Sequence, residues 1–163
     1  MMQYLVVGLA LAIAVTPAAC GADNSANSGP QPTRPTATSF KGTDSMKIRL
    51  KVEDKLIMAT LIDSKTAQDF VSLLPLTLTM DDLFGREKYG HLPRAISDEG
   101  KRTRTYEVGD IVYWSPGPDV AIYYRHDGQA IPAPGIIVIG KIESGGEALN
   151  LPGSVKVTIE LIK

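Results

Sequence analysis

The sequence predicts a mostly β domain over residues 46–163, curled into a closed barrel and plugged by one helix. Three observations lead there. The first and last apolar segments of this region, "MKIRLKVE" and "SVKVTIELIK", alternate apolar and polar residues with the same period of two. Between them lie short β-branched or aromatic runs separated by Gly, Pro and Asp, the punctuation of strands joined by reversals. Only one stretch takes a helical period, so the strand–helix–strand rhythm of a parallel sheet is missing. Two half-wet strands at opposite ends of one sheet remove both bare edges by pairing with each other, and a sheet closed in that way is a barrel.

In the first strand Ile48, Leu50 and Val52 alternate with Lys47, Arg49, Lys51 and Glu53. A turn at Glu53 to Lys55 leads to "KLIMATLI", a return strand more apolar on both sides. The helix is expected over about residues 64–74, where Ala67, Phe70, Val71 and Leu74 share one face, Asp63 or Ser64 can cap the start and Pro75 ends it. "LTLTM" reads as another strand. "DDLFGREKYGHLPRAISDEGKRTR" loses any clear period and reads as a long functional loop, in which the adjacent pairs Asp81/Asp82 and Asp98/Glu99 are expected to be solvated loop charge. "DIVYW" and "VAIYYR" form two strands reversed by "SPGPD"; "GIIVIGKIE" is a strand covered on both faces; the final strand carries Val155, Val157, Ile159 and Leu161 on one side.

The amino end is a different kind of polymer. Residues 4–19 carry no charge, and the apolar run from Tyr4 to Val15 is too short for a bilayer span of about 20 residues but suits the core of an export signal. The expectation is a signal peptide over residues 1–20, ending near Cys20. This lone cysteine, after Ala18 and Ala19 and before Gly21, resembles the lipobox of bacterial lipoproteins, which implies lipidation of Cys20 and a membrane anchor; ordinary signal-peptidase cleavage is the alternative. Residues 21–45, rich in Ser, Thr, Asn, Gly and Pro, are expected to be a disordered tether. Every route places the domain outside the cytoplasm, in or beyond a bacterial cell envelope.

Several chemistries are disfavoured. A formal net charge of −1 supplies no basic stripe for nucleic acid. The two histidines, His91 and His126, and the single cysteine lack metal-ligand spacing, and nothing calls for a cofactor. The stretch from Gly135 to Lys141 imitates a phosphate loop but fills its spacer with bulky β-formers, so it belongs in a strand. Ser115 sits in a Pro-rich turn without a nucleophile elbow around it.

What remains is the pairing of "LFGREKYGHLPRA" with "VYWSPGPDVAIYYRHDG". Arg86, Glu87, Tyr89 and His91 from the first, with Tyr113, Trp114, Tyr123 and Arg125 from the second, are the candidates for a ligand groove of aromatic and guanidinium character. Because neighbours along a strand point to opposite faces, half of the aromatic residues in these arms must be core.

The three strings "DDLFGREKYGHLPRAISDEG", "YEVGDIVYWSPGPDVAIYYR" and "IPAPGIIVIGKIESG", in this order after "LLP", resemble the bacterial cyclophilin-like domains, a family of largely unassigned function. The resemblance spans about residues 46–163 and implies an eight-stranded barrel with a helix closing one end. Cyclophilins proper are peptidyl-prolyl isomerases that depend on Phe-His-Arg and Phe-Met-x-Gln strings, and this chain has neither. The expected function is therefore an exported, lipid-anchored module that binds a peptide or small molecule without catalysis. The alternative is an isomerase with a non-standard site, in which Arg86 or Arg125 polarises the prolyl amide.

Overall fold

Two half-wet strands open the folded region: β1 (Met46–Val52) turns through Glu53 and Asp54 into β2 (Lys55–Leu61), paired from Met46↔Leu61 to Val52↔Lys55. The computed structural model describes residues 46–162; the expected signal peptide, Cys20 and the tether lie outside the described residues. Helix α1 (Lys65–Val71) follows, started by the Ser64 hydroxyl, which accepts from the Ala67 amide at 3.2 Å. Then come β3 (Leu76–Leu83), β4 (Glu87–His91), β5 (Arg102–Thr103), β6 (Asp110–Trp114), β7 (Asp119–Tyr123), β8 (Ile136–Ser144), a 3-10 turn (Gly146–Leu149) and β9 (Val155–Leu161).

The strands run round the barrel in the order β1-β9-β3-β4-β7-β6-β8-β2 and back to β1, every neighbour antiparallel. The first and last strands pair from Ile48↔Leu161 to Val52↔Val157, as their shared alternation predicts. The ring is completed by β8, which pairs with β5 at its start and with β2 at its end. Irregular register between Met58 and Ala59 and between Ile111 and Val112 bends the sheet near this closure. Gly140 lies opposite Leu61 there, and a Cβ on it would come within 2.8 Å of the Thr60 carbonyl oxygen and 2.7 Å of a Leu61 methyl, so β8 approaches β2 only because position 140 has no side chain.

Alternation sends Ile48, Leu50 and Val52, Ile57, Ala59 and Leu61, and Val155, Val157 and Ile159 into one core with Phe70 of α1. The helix is shorter than expected. It ends at Val71, and the Leu73 and Leu74 amides donate to the Phe70 and Val71 carbonyls, three residues back, tightening the last turn before Pro75; Val71 and Leu74 are only partly buried. β3 extends beyond "LTLTM" to Leu83, and the long loop expected after it holds a full strand, β4, in the middle of the sheet.

The expectation that Asp81/Asp82 are solvated loop charge is therefore corrected: both are strand residues, and Asp82 anchors a buried cation. Lys88, on β4, is fully buried, and its ammonium spends all three protons, on Asp82 Oδ2 at 2.8 Å, the Leu151 carbonyl at 2.5 Å and the Gly153 carbonyl at 2.7 Å. The Tyr124 hydroxyl donates to the same carboxylate oxygen at 2.5 Å, and the Gly85 amide donates to the other at 2.9 Å. Burial alone would push the Asp82 carboxyl up, but Lys88, Tyr124 and Gly85 together hold it below its ordinary range. This cluster ties the β3–β4 hairpin to the chain that leads into β9.

Removing one partner of a buried pair costs about 3–5 kcal/mol; because Asp82 is 21% exposed and keeps Tyr124 and Gly85, Lys88→Met is expected to cost about 3. Urea unfolding should show Asp82→Asn/Lys88→Met losing less than the sum of the single changes. A carboxyl held low in the folded state contributes stability above its unfolded pKa of about 3.9 and loses it as pH falls through the lower folded value. The acid-side loss of stability should thus shrink in Lys88→Met.

Candidate functional site

On one side of the barrel the outward face of the sheet carries apolar residues of its own. Glu87, Tyr89 and His91 of β4 sit opposite Tyr123, Ala121 and Asp119 of β7; Ala121 and Asp119 sit opposite Val112 and Trp114 of β6; Val112 sits opposite Val138 of β8. Val112, Ala121, Tyr123 and Ile136 form a second buried cluster with Tyr106 and Ile131, which come from the covering segments. This explains why "GIIVIG" is apolar at every position: Ile137 and Ile139 face the barrel core while Ile136 and Val138 belong to the outer cluster.

The cover is built from residues 103–106 and 126–135. The Ile131 amide donates to the Arg104 carbonyl at 2.8 Å, and Arg104 Nε returns a bond to the Ile131 carbonyl at 2.8 Å. The Tyr106 ring stacks on that of Tyr123 with centroids 3.9 Å apart, and its hydroxyl donates to Asp127 Oδ1 at 2.7 Å. The cover reaches only part of the outer face. Beside it a cavity of about 330 Å³ remains, with an apolar lining of Leu83, Val112, Ala121, Ile131, Pro132 and Ile136. Its aromatic walls are Phe84, Tyr89, Trp114 and Tyr123, and its charged groups are Arg86, Glu87 and Asp119.

Arg86 is buried and held on two sides. Its Nε donates to Glu87 Oε1 at 3.2 Å and its Nη1 to Asp127 Oδ2 at 3.0 Å, while Nη2 has no hydrogen-bond partner among the described residues. The guanidinium carbon lies 5.5 Å from the Tyr106 ring centre and 5.3 Å from that of Phe84. Burial pushes the Glu87 carboxyl up, and the Tyr123 hydroxyl and the Arg86 guanidinium bring it only part of the way back. Burial and the neighbouring Glu87 push the Tyr123 phenol up as well, so it remains a hydroxyl. Asp119 is pushed up by burial against the pull of His91, whose Nδ1 lies 2.5 Å from its Oδ1. Asp127 is held low by the Gln129 amide, then by the Tyr106 hydroxyl and Arg86.

Of the residues singled out in the sequence, Arg86, Glu87, Tyr89, Trp114 and Tyr123 meet in this cavity. His91 lies beside the lining with its side chain 75% exposed, its Nδ1 2.5 Å from Asp119 Oδ1 and 3.2 Å from the Gly117 carbonyl oxygen, its hydrogen-bond partner. Tyr113 points the other way, into the barrel core, where its hydroxyl accepts from the Ile96 amide at 3.3 Å. Arg125 does not reach the cavity and donates to Asn150 at 3.1 Å. Sequence reasoning missed Phe84, Asp119, Ile131 and Pro132. A signal for the last two was present in "AIPAPG", where an isoleucine followed by two prolines in a loop calls for a surface to cover.

A family model described as the cyclophilin-like family matches residues 50–160. Among solved structures, the solution structure of a hypothetical protein from Archaeoglobus fulgidus superposes with a TM-score of 0.61 at 22% identity, covering 76% of this chain and 99% of that one, a likeness of fold. No curated protein matches the chain.

Because Arg86, together with the Tyr123 hydroxyl, keeps the buried Glu87 from rising further, Arg86→Met should move the Glu87 titration midpoint upward. Carbon-13 NMR of the Glu87 carboxyl would read the shift, and an unmoved midpoint would show the pair to be uncoupled.

Proposed function

From the premise that this chain belongs to the cyclophilin-like family, we propose that it is a binding domain whose outer-face cavity takes a small ligand without catalysing a reaction on it. The observation that carries this reading is the cavity itself: about 330 Å³, walled by four aromatic side chains and six aliphatic or prolyl ones, with three charged groups converging on it. Pockets of this size and composition suit small molecules, whose apolar body is buried while a few polar groups fix orientation.

Prolyl isomerisation needs a cation aimed at the amide nitrogen to weaken a barrier of about 18–20 kcal/mol. Two carboxyl groups already take up the charge of Arg86, and the Phe-His-Arg and Phe-Met-x-Gln strings of the isomerases are missing. Both points support binding over catalysis. The amino-terminal pattern supports an exported domain held on a membrane through lipidated Cys20, with residues 21–45 as its tether.

Trp114 is the only tryptophan of the chain and lines the cavity, so its emission is an internal reporter. Ligand titration should shift or quench it, and Ala121→Phe, which fills the cavity from the middle of β7, should abolish the response in a protein that still folds, with about 1–3 kcal/mol lost to crowding in the outer buried cluster. A proline-containing peptide should isomerise at its uncatalysed rate in the presence of the protein; acceleration lost in Arg86→Ala would establish the isomerase instead. Mass spectrometry of the mature protein should find the chain beginning at an acylated Cys20.

A further inference from the structure

We propose that the ligand of this cavity is a small organic cation, an amine or quaternary ammonium on an apolar body, and that Phe84 closes over it. The inference rests on the binding reading above and adds the chemical class.

The first observation is charge. One guanidinium stands against three carboxyl groups, Arg86 against Glu87 and Asp119 in the lining and against Asp127 at 3.0 Å behind it. Glu87 and Asp127 share the charge of Arg86, which leaves Asp119 without a guanidinium of its own and with a buried Oδ1 that has no hydrogen-bond partner among the described residues. The other cations nearby do not line the cavity. Arg102 is paired with Asp98 at 2.9 Å, Arg104 is exposed and bonded to the Ile131 carbonyl, His126 is exposed, and His91 approaches Asp119 Oδ1 at 2.5 Å with its side chain 75% exposed outside the lining. A cation would meet the Asp119 carboxylate in a lining that includes Phe84, Tyr89, Trp114 and Tyr123, the combination of groups by which proteins hold alkylated ammonium ions.

The second observation is backbone strain. Leu83, Phe84, Gly85 and Arg86 form a tight turn within the three-residue connection between β3 and β4, closed by the Arg86 amide on the Leu83 carbonyl at 3.2 Å. Both central residues have positive φ, 56° at Phe84 and 65° at Gly85. Such turns favour Asn, Asp or Gly at both places, and a bulky residue in the left-handed region is an outlier. Phe84 is moreover 76% exposed, the most exposed large apolar side chain among the described residues. It therefore stabilises the fold neither through its backbone nor through burial, yet it lies at the edge of the cavity and over Arg86. Strain kept at a ligand site points to a function there.

The test uses the full-length chain and three probes of similar shape, benzyltrimethylammonium, its uncharged isostere neopentylbenzene, and phenylacetate, followed by Trp114 emission and calorimetry. The ammonium should bind about tenfold tighter than either of the others. Asp119→Asn should weaken it by about five- to tenfold without changing neopentylbenzene binding. Phe84→Asn should raise the unfolding temperature by about 3–6 °C, through relief of the turn, while weakening ammonium binding severalfold. Tighter binding of phenylacetate or neopentylbenzene, or a lower unfolding temperature in Phe84→Asn, would overturn the proposal and leave the cavity a binding site of another class. Binding of a lysine-bearing tripeptide more tightly than the ammonium would overturn the small-molecule source. Silence from all probes, with Trp114 emission unmoved, would remove the binding reading along with it.

Discussion

Closure of the sheet is the constraint from which the other features follow. Once β1 is paired with β9, and β2 with β8, the inward face of every strand is used in packing one core, and the strands of the ring have no bare edge left along those pairs. A ligand surface must then be found outside. It is found where the outward face is also apolar, across β7, β6 and β8, which serve two cores at once, with Tyr89 of β4 packed against the outer one. The covering segments shield part of that face and leave the rest as a cavity. Gly140 is a small part of the sequence with a large effect here, since it permits the approach that closes the ring.

Charge is arranged with the same economy. Arg86 and Lys88 are two residues apart, one at the outer cavity and the other at the inner end of the β3–β4 hairpin, and each is buried. Neither could remain charged in an apolar setting without compensation. Arg86 has Glu87 and Asp127; Lys88 has Asp82 and two backbone carbonyls. The difference lies in what is left over. All three protons of Lys88 are used, which makes it a structural clip, whereas Arg86 keeps Nη2 unbonded among the described residues at the edge of a space large enough for a ligand.

The strands with one wet face were legible from sequence because burial imposes a period of two on them; Ile48, Leu50 and Val52 and their partners in β9 say plainly which side is inside. β4 was not legible, and the reason is physical. Its residues Glu87, Lys88, Tyr89, Gly90 and His91 contain no aliphatic side chain, since a buried ammonium occupies the inward face and site residues occupy the outward one. Hydrophobic periodicity cannot report a strand whose two faces are both polar. The cavity was half legible for a related reason: aromatic and charged residues in the two arms marked Arg86, Glu87, Tyr89, Trp114 and Tyr123, but alternation alone did not say which of Tyr113 and Trp114 faced out. Asp119 and Ile131 sit in turn and loop strings whose pattern carries no direction.

A strand without an aliphatic face would ordinarily be free to slide against its neighbours, because no greasy side distinguishes one alignment from the next. Moving β4 along by a single residue would carry the Lys88 ammonium out among the aromatic rings and drive the Glu87 carboxylate inward against the Leu151 and Gly153 carbonyls, oxygen against oxygen. Such a slip is forbidden by electrostatics. The alternation of opposite charges thus proofreads the hairpin as it assembles, a task that water-fearing side chains perform elsewhere in the ring.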